Sequence, residues 1–164
     1  MSTKLSYDLT YDAPLSAVSE MLTDPAFREE VCEAQGAFRR TATVVPEGGA
    51  TTVVIDQVQR SEGIPGFARK FVGDEINLIQ TEQWSDADGV LTGGTVDVVI
   101  PGKPGQMRGT ITLRESGGTT TETVEMQIKV GIPLVGGKIE SLVADLLRKA
   151  LKSENAVGRA YLSR

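Results

Sequence analysis

One change of period constrains this chain more than any other feature. From Thr120 to Val130 the residues alternate strictly. Val124, Met126, Ile128 and Val130 fall on one face, and Thr123, Glu125, Gln127 and Lys129 on the other. Gly131 and Pro133 end that pattern. Beyond them Val135, Ile139, Leu142, Val143, Leu146 and Ala150 recur at helical spacing, with charged residues between them. The spacing predicts a helix from Pro133 to about Val157, roughly 25 residues and about 38 Å long. Such a helix cannot bury its apolar stripe alone, so it needs the apolar face of a sheet.

The rest of the chain supplies that sheet. Lys4 to Tyr11 alternates with Leu5, Tyr7, Leu9 and Tyr11 on one face. Asp12-Ala13-Pro14 then starts a short helix carrying Leu15, Val18, Met21 and Leu22, and Asp24-Pro25 starts a second with Phe27, Val31 and Cys32 on its apolar side. Gly36 stops it. Strand patterns follow at Arg39 to Val45, Thr51 to Arg60, Glu75 to Ser85, Val90 to Ile100, Gln106 to Glu115 and Thr120 to Val130, separated by Gly-rich turns. The connection from Ser61 to Gly73 is longer and holds Phe67 and Phe71 four residues apart, a spacing that fits one helical turn. The expected class is α+β. One domain over residues 1–164 would hold a curved antiparallel sheet of about seven strands wrapped around the long C-terminal helix, with two short helices after the first strand.

Composition removes several kinds of chemistry. The 164 residues contain no histidine and one cysteine, Cys32. That excludes a Ser-His-Asp triad, an imidazole metal site and an internal disulfide, and no metal cluster is expected. Cys32 has no histidine base, so it reads as a buried structural thiol. Asp86 and Asp88 with Gly89 supply too few ligands for a calcium loop. No Gly-rich stretch has the strand-to-helix setting of a nucleotide site, and no cofactor is implied. The net charge of −5 argues against nucleic acid or an anionic membrane as partner. No segment reads as a signal peptide or a membrane span, so a cytoplasmic location without stable membrane insertion is expected. Homo-oligomer formation is left open.

The order of elements, with Ala13-Pro14, Asp24-Pro25 and the closing helix after Ile132-Pro133-Leu134-Val135-Gly136-Gly137-Lys138-Ile139-Glu140, resembles the START-like superfamily, also called SRPBCC or helix-grip proteins. Its members include plant pathogenesis-related allergens, lipid-transfer domains and polyketide cyclases. More narrowly, Ile64 to Gly73, Glu82-Gln83-Trp84 and the Gly-Gly-Lys-Ile-Glu start of the helix look like an actinobacterial branch of unknown function. The resemblance implies a cavity between curved sheet and long helix that holds an apolar or amphipathic small molecule. It implies a place for a site, and no particular reaction.

A physical argument points the same way. A bent sheet and a straight helix leave a gap, and one Trp, three Tyr and four Phe are few large side chains to fill it. The residues expected to line the cavity are Tyr7, Phe27, Val31, Phe67, Phe71, Trp84, Val98, Met126, Leu134, Ile139, Leu142 and Leu146. The expected function is binding or carriage of a small hydrophobic or amphipathic molecule, lipid or polyketide-like. A cyclase or aromatase using Glu82 or a tyrosine as acid–base is the catalytic alternative. Glu82 shares a face with Gln80 and Trp84, which is either the inner face or a solvated one. The third reading is an interaction protein with a filled core.

Overall fold

The structure is a computed structural model that describes residues 2–164. The elements run β1 (Thr3–Tyr11), α1 (Leu15–Leu22), α2 (Pro25–Ala34), β2 (Arg39–Glu47), β3 (Ala50–Arg60), α3 (Gly66–Val72), β4 (Glu75–Ala87), β5 (Val90–Val99), β6 (Gln106–Ser116), β7 (Thr119–Lys129) and α4 (Gly136–Leu162). The seven strands form one antiparallel sheet in the order β1-β7-β6-β5-β4-β3-β2. Strands β2 to β7 are a meander. Strand β1 pairs with β7, with Leu5 opposite Met126 and Tyr7 opposite Val124. The α1–α2 pair carries the chain from one sheet edge to the other, so β1 and β2 remain as edges.

Helix α2 begins as its sequence predicts: the Asp24 side chain accepts from the Ala26 N–H at 3.0 Å, and Pro25 takes the first turn. Helix α1 differs. Pro14 occupies its N-cap without a side-chain cap, and the Leu15 N–H donates to Glu115 of β6 at 2.6 Å. A residue distant in sequence thus supplies the missing acceptor. Phe67 and Phe71 do lie on one short helix, α3.

The long helix is displaced towards the C-terminus relative to the Pro133–Val157 expected from periodicity. Its start is delayed because Leu134 adopts φ +73°, a left-handed conformation that cannot begin a right-handed helix. Gly136 then passes so close to β7 that a Cβ would lie 2.3 Å from the Val130 carbonyl oxygen. The first turn is pinned by Glu140, whose carboxylate accepts from the Val130 N–H at 2.9 Å and from the Thr3 hydroxyl at 2.9 Å. The helix runs on past Gly158, a residue that weakens most helices. Here the Tyr11 ring fills the space, and a Cβ at 158 would lie 2.6 Å from its Cε1.

Helix α4 packs on β1, β7, α1 and α2. Its apolar residues facing the β4–β6 part of the sheet are covered less well: Leu146 is 41% exposed, although it belongs to the inward stripe. The main core instead lies towards α1 and α2, around Leu9, Tyr11, Val18, Met21, Leu22 and Phe27, all with no exposed surface. The core is therefore dense at one end of the sheet and open at the other.

Replacing Gly158 with Ala should destabilise the protein despite alanine's better helix propensity. The Tyr11 ring is buried and cannot swing away, so overpacking of about 1–3 kcal/mol should exceed a helix gain of at most about 1 kcal/mol. Urea unfolding measures the sign; a more stable variant would show that the ring yields.

Candidate functional site

The open end holds two adjoining pockets, an outer and an inner compartment. The outer one, about 220 Å³, lies between α3, the β5–β6 turn and the N-terminal half of α4. Its walls include Phe71, Ile76, Val98, Ile139, Leu142 and Val143. It reaches the surface at the exposed turn residues Lys103 and Pro104. The inner one, about 180 Å³, runs deeper between β3 to β7 and the middle of α4. Gln59, Leu78, Val98, Met107, Val143 and Leu146 line both. Each is smaller than the ~300–1,000 Å³ of typical small-molecule sites, and the two adjoin along these six residues.

Strand alternation and helix periodicity explain the inner wall. The inward positions of β7 are Thr120, Glu122, Val124, Met126 and Ile128. On α4 the spacing that buries Leu147 and Leu151 continues to Glu154. Glu122 is 2% exposed and Glu154 9%, and both line the inner compartment with Glu82 of β4. Three carboxyl groups thus stand on the wall of the inner compartment.

Among the described residues, one cation accompanies them. Arg28 of α2, itself buried, donates to Glu82 through both terminal nitrogens, Nη2 to Oε1 at 2.7 Å and Nη1 to Oε2 at 3.1 Å. Its Nε donates to the Leu22 carbonyl at 2.8 Å. The Trp84 indole N–H reaches Glu82 Oε1 at 2.8 Å, and the Gln80 amide reaches Oε2. Each Glu82 oxygen therefore receives two donors. The face of β4 carrying Gln80, Glu82 and Trp84 is the inner one, but Glu82 is a structural anchor with no free lone pair for a substrate proton. Burial opposes the Arg28 charge, yet Glu82, Glu154 and Glu122 outweigh it and hold the guanidinium above its ordinary value.

Glu122 and Glu154 are left without a counter-ion of their own. Oε1 of Glu122 is buried and has no hydrogen-bond partner. Burial, reinforced by the Glu154 charge, holds Glu122 well above the usual carboxylate range. Burial likewise pushes Glu154 up to about 7, with Glu82 adding to the rise and Arg28 opposing it. Tyr11 lies beside them; burial and the charges of Glu122 and Glu154 raise its phenol, and its hydroxyl also lacks a partner. Burial pushes the Cys32 thiol up to about 11, away from nucleophile chemistry. Among the described residues no grouping of three or more His, Cys, Asp or Glu side chains is disposed to hold a metal ion.

Of the residues expected at the wall, Phe71, Val98, Met126, Ile139, Leu142 and Leu146 line one compartment or both. The other six lie elsewhere. Phe27 and Val31 are under α2 in the dense end of the core, where the Phe27 ring meets Tyr161 edge-on at 5.2 Å. Trp84 is buried beyond Glu82, held by its own N–H. Tyr7 packs half-buried on the β1 side of the core. Phe67 lies on α3 with the Lys138 ammonium 4.2 Å above its ring. Leu134 is fully exposed, because its left-handed backbone turns the side chain outward. Arg28, Glu122 and Glu154 were not anticipated. The parity of β7 and an extension of the α4 stripe by one turn both carry the signal for the two glutamates, while nothing local distinguishes Arg28.

Two measurements test this electrostatic arrangement. Arg28→Met should cost about 3–5 kcal/mol in urea unfolding, because Glu82 then remains buried without its partner. The sign of the pH dependence follows from the raised acids. In the unfolded chain Glu154 ionises near its ordinary 4.5, whereas in the folded chain it stays protonated up to about 7. Its stabilising contribution is fully present below the unfolded value and is lost as pH rises through the folded one. The melting temperature should therefore fall between pH 5 and pH 8, and Glu154→Gln should make that fall shallower. An unchanged slope in the variant would mean that Glu154 does not titrate in this interval.

With the site described, comparison with known proteins places the chain. An uncharacterized protein of Mycobacterium tuberculosis (strain H37Rv) is 29% identical over 112 residues, 66% of this chain and 63% of the relative, so the match spans less than two thirds of that protein. Among solved structures, Ara h 8.0201 aligns over all of both chains at TM-score 0.64 and 10% identity. The di-domain ARO/CYC BexL of the BE-7585A biosynthetic pathway aligns at TM-score 0.66 and 12% identity, covering 99% of this chain and 50% of that one. At such identities the likeness is one of fold, the helix-grip fold of START-like proteins. Residues 6–162 match a family described as a protein of unknown function, DUF2505, and the chain belongs to that family.

Proposed function

We propose that this protein binds or carries a small hydrophobic or amphipathic molecule between its sheet and α4. The observation that carries this reading is the pair of adjoining pockets, lined mainly by Val, Ile, Leu, Met and Phe side chains and sharing six wall residues between the β5–β6 turn and the buried carboxyl groups. Half-covered apolar residues on α4, Leu146 above all, would lose contact with water if a guest filled that space. A helix-grip fold shared with an allergen and an aromatase/cyclase is consistent with the reading but does not choose the ligand.

The catalytic alternative built on Glu82 finds no support, since four donors already occupy that carboxylate. The reading with a filled core conflicts with the cavity itself. Native mass spectrometry and titration with an uncharged naphthyl probe test the proposal. Saturable binding is expected, and Leu142→Trp should weaken it about tenfold or more by placing an indole in the outer compartment. An apo mass alone, together with probe binding that Leu142→Trp leaves untouched, would sink it.

A further inference from the structure

We propose that the deep end of the cavity receives a basic nitrogen: the ligand is an amine-headed amphiphile that enters head first, its ammonium group against Glu122 and Glu154 and its apolar body in the outer compartment. This inference rests on the binding reading above and names the chemical class of the ligand.

Four observations support it. First, Glu122 Oε1 is a buried acceptor without a donor, on a residue that lines the inner compartment. Leaving such an acceptor unmet is unfavourable, and an ammonium supplies three donors and the missing charge. Second, Glu154 reaches the same compartment from α4, so carboxyl groups stand on two walls. Third, among the described residues the nearby cation, Arg28, is engaged elsewhere. All three Arg28 nitrogens donate to Glu82 or to the Leu22 carbonyl, and Arg28 does not line the cavity. Fourth, the amide nitrogens of Gln35, Gln59 and Gln80 donate to Ala150, Gln57 and Glu82 respectively. Gln57, on the same wall, adds a neutral amide, so the charged groups that the compartment presents to a guest are carboxyls.

An acidic head group would meet the reverse. At the deep end it would face like charges or protonated acids, and the cations that line the cavity, Arg60 and Lys103, stand at its outer end. The upward shift of Glu122 and Glu154 fits an apo site that keeps protons where a cation would otherwise sit. Binding an ammonium would release those protons and reclaim the charge interaction.

The test uses the full chain and displacement of the uncharged naphthyl probe at pH 7.5 by decylamine, decanol and decanoic acid. Decylamine is expected to displace it at concentrations at least about tenfold lower than either of the others. In Glu122→Gln/Glu154→Gln that advantage should fall to within about threefold, with decanol unchanged. Should the double variant not fold, Glu154→Gln alone should show a partial loss. Equal displacement by all three, stronger displacement by decanoic acid, or an amine advantage that survives both substitutions overturns the proposal and leaves the cavity reading standing. A probe that never binds overturns both.

Discussion

The Arg28–Glu82 pair is the interaction on which the rest of the architecture depends. It joins α2, which follows the first strand, to β4 in the middle of the meander, with both side chains almost wholly buried. Removing two charges from water is expensive, and the attraction between them repays it only with good geometry and complete hydrogen bonding. The geometry here is bidentate, and Trp84, Gln80 and the Leu22 carbonyl satisfy what remains. One consequence is positional. With α2 held at this depth, Phe27, Val31 and Cys32 fill the closed end of the sheet, and the unfilled volume is confined to the other end.

Helix α4 connects the two ends and carries a glutamate at each. Glu140 in its first turn accepts from the Val130 N–H, which holds its carboxyl below the ordinary range. Its contribution is present above the unfolded value and is lost as pH falls through the folded one. Glu154, four turns later, behaves in the opposite sense. Acid loosens the anchoring of the helix start and base stresses its buried segment. The protein's stability therefore has a ceiling on both sides, set by two residues of the same type on the same helix.

Much of the fold is legible in the sequence because it depends on local period. The alternation of β1 and β7, the Asp24-Pro25 cap and the switch at Gly131–Pro133 are decided by neighbours a few residues apart. The candidate site is legible only in part. Phe71, Val98, Met126, Ile139, Leu142 and Leu146 follow from which face is apolar. Phe27, Val31 and Trp84 are equally apolar, yet they fill the core, and only three-dimensional packing separates a wall from a plug. Leu134 fails for a local reason, a left-handed φ that no periodicity reports. Glu122 and Glu154 fall in register with apolar neighbours, and their charge disguises that register. Arg28 is the least visible, because its burial depends on a partner 54 residues away.

The presence of Glu122 and Glu154 bears on what the cavity is for. Stability alone would favour apolar residues of similar volume at both positions, since an acid in such a place must either give up its charge or remain poorly solvated. Glu82 has an answer to that argument: both arms of the Arg28 guanidinium and the Trp84 and Gln80 side chains keep it engaged, and it locks α2 to the sheet. Glu122, with one oxygen unmet, locks nothing through that atom. The distinction separates two uses of one residue type in a single cluster. One carboxylate is consumed by the fold, and the others line the inner compartment without a counter-ion of their own. A cavity that only needed to be greasy would gain nothing from them, whereas a cavity that orients an amphiphile gains a fixed polar end.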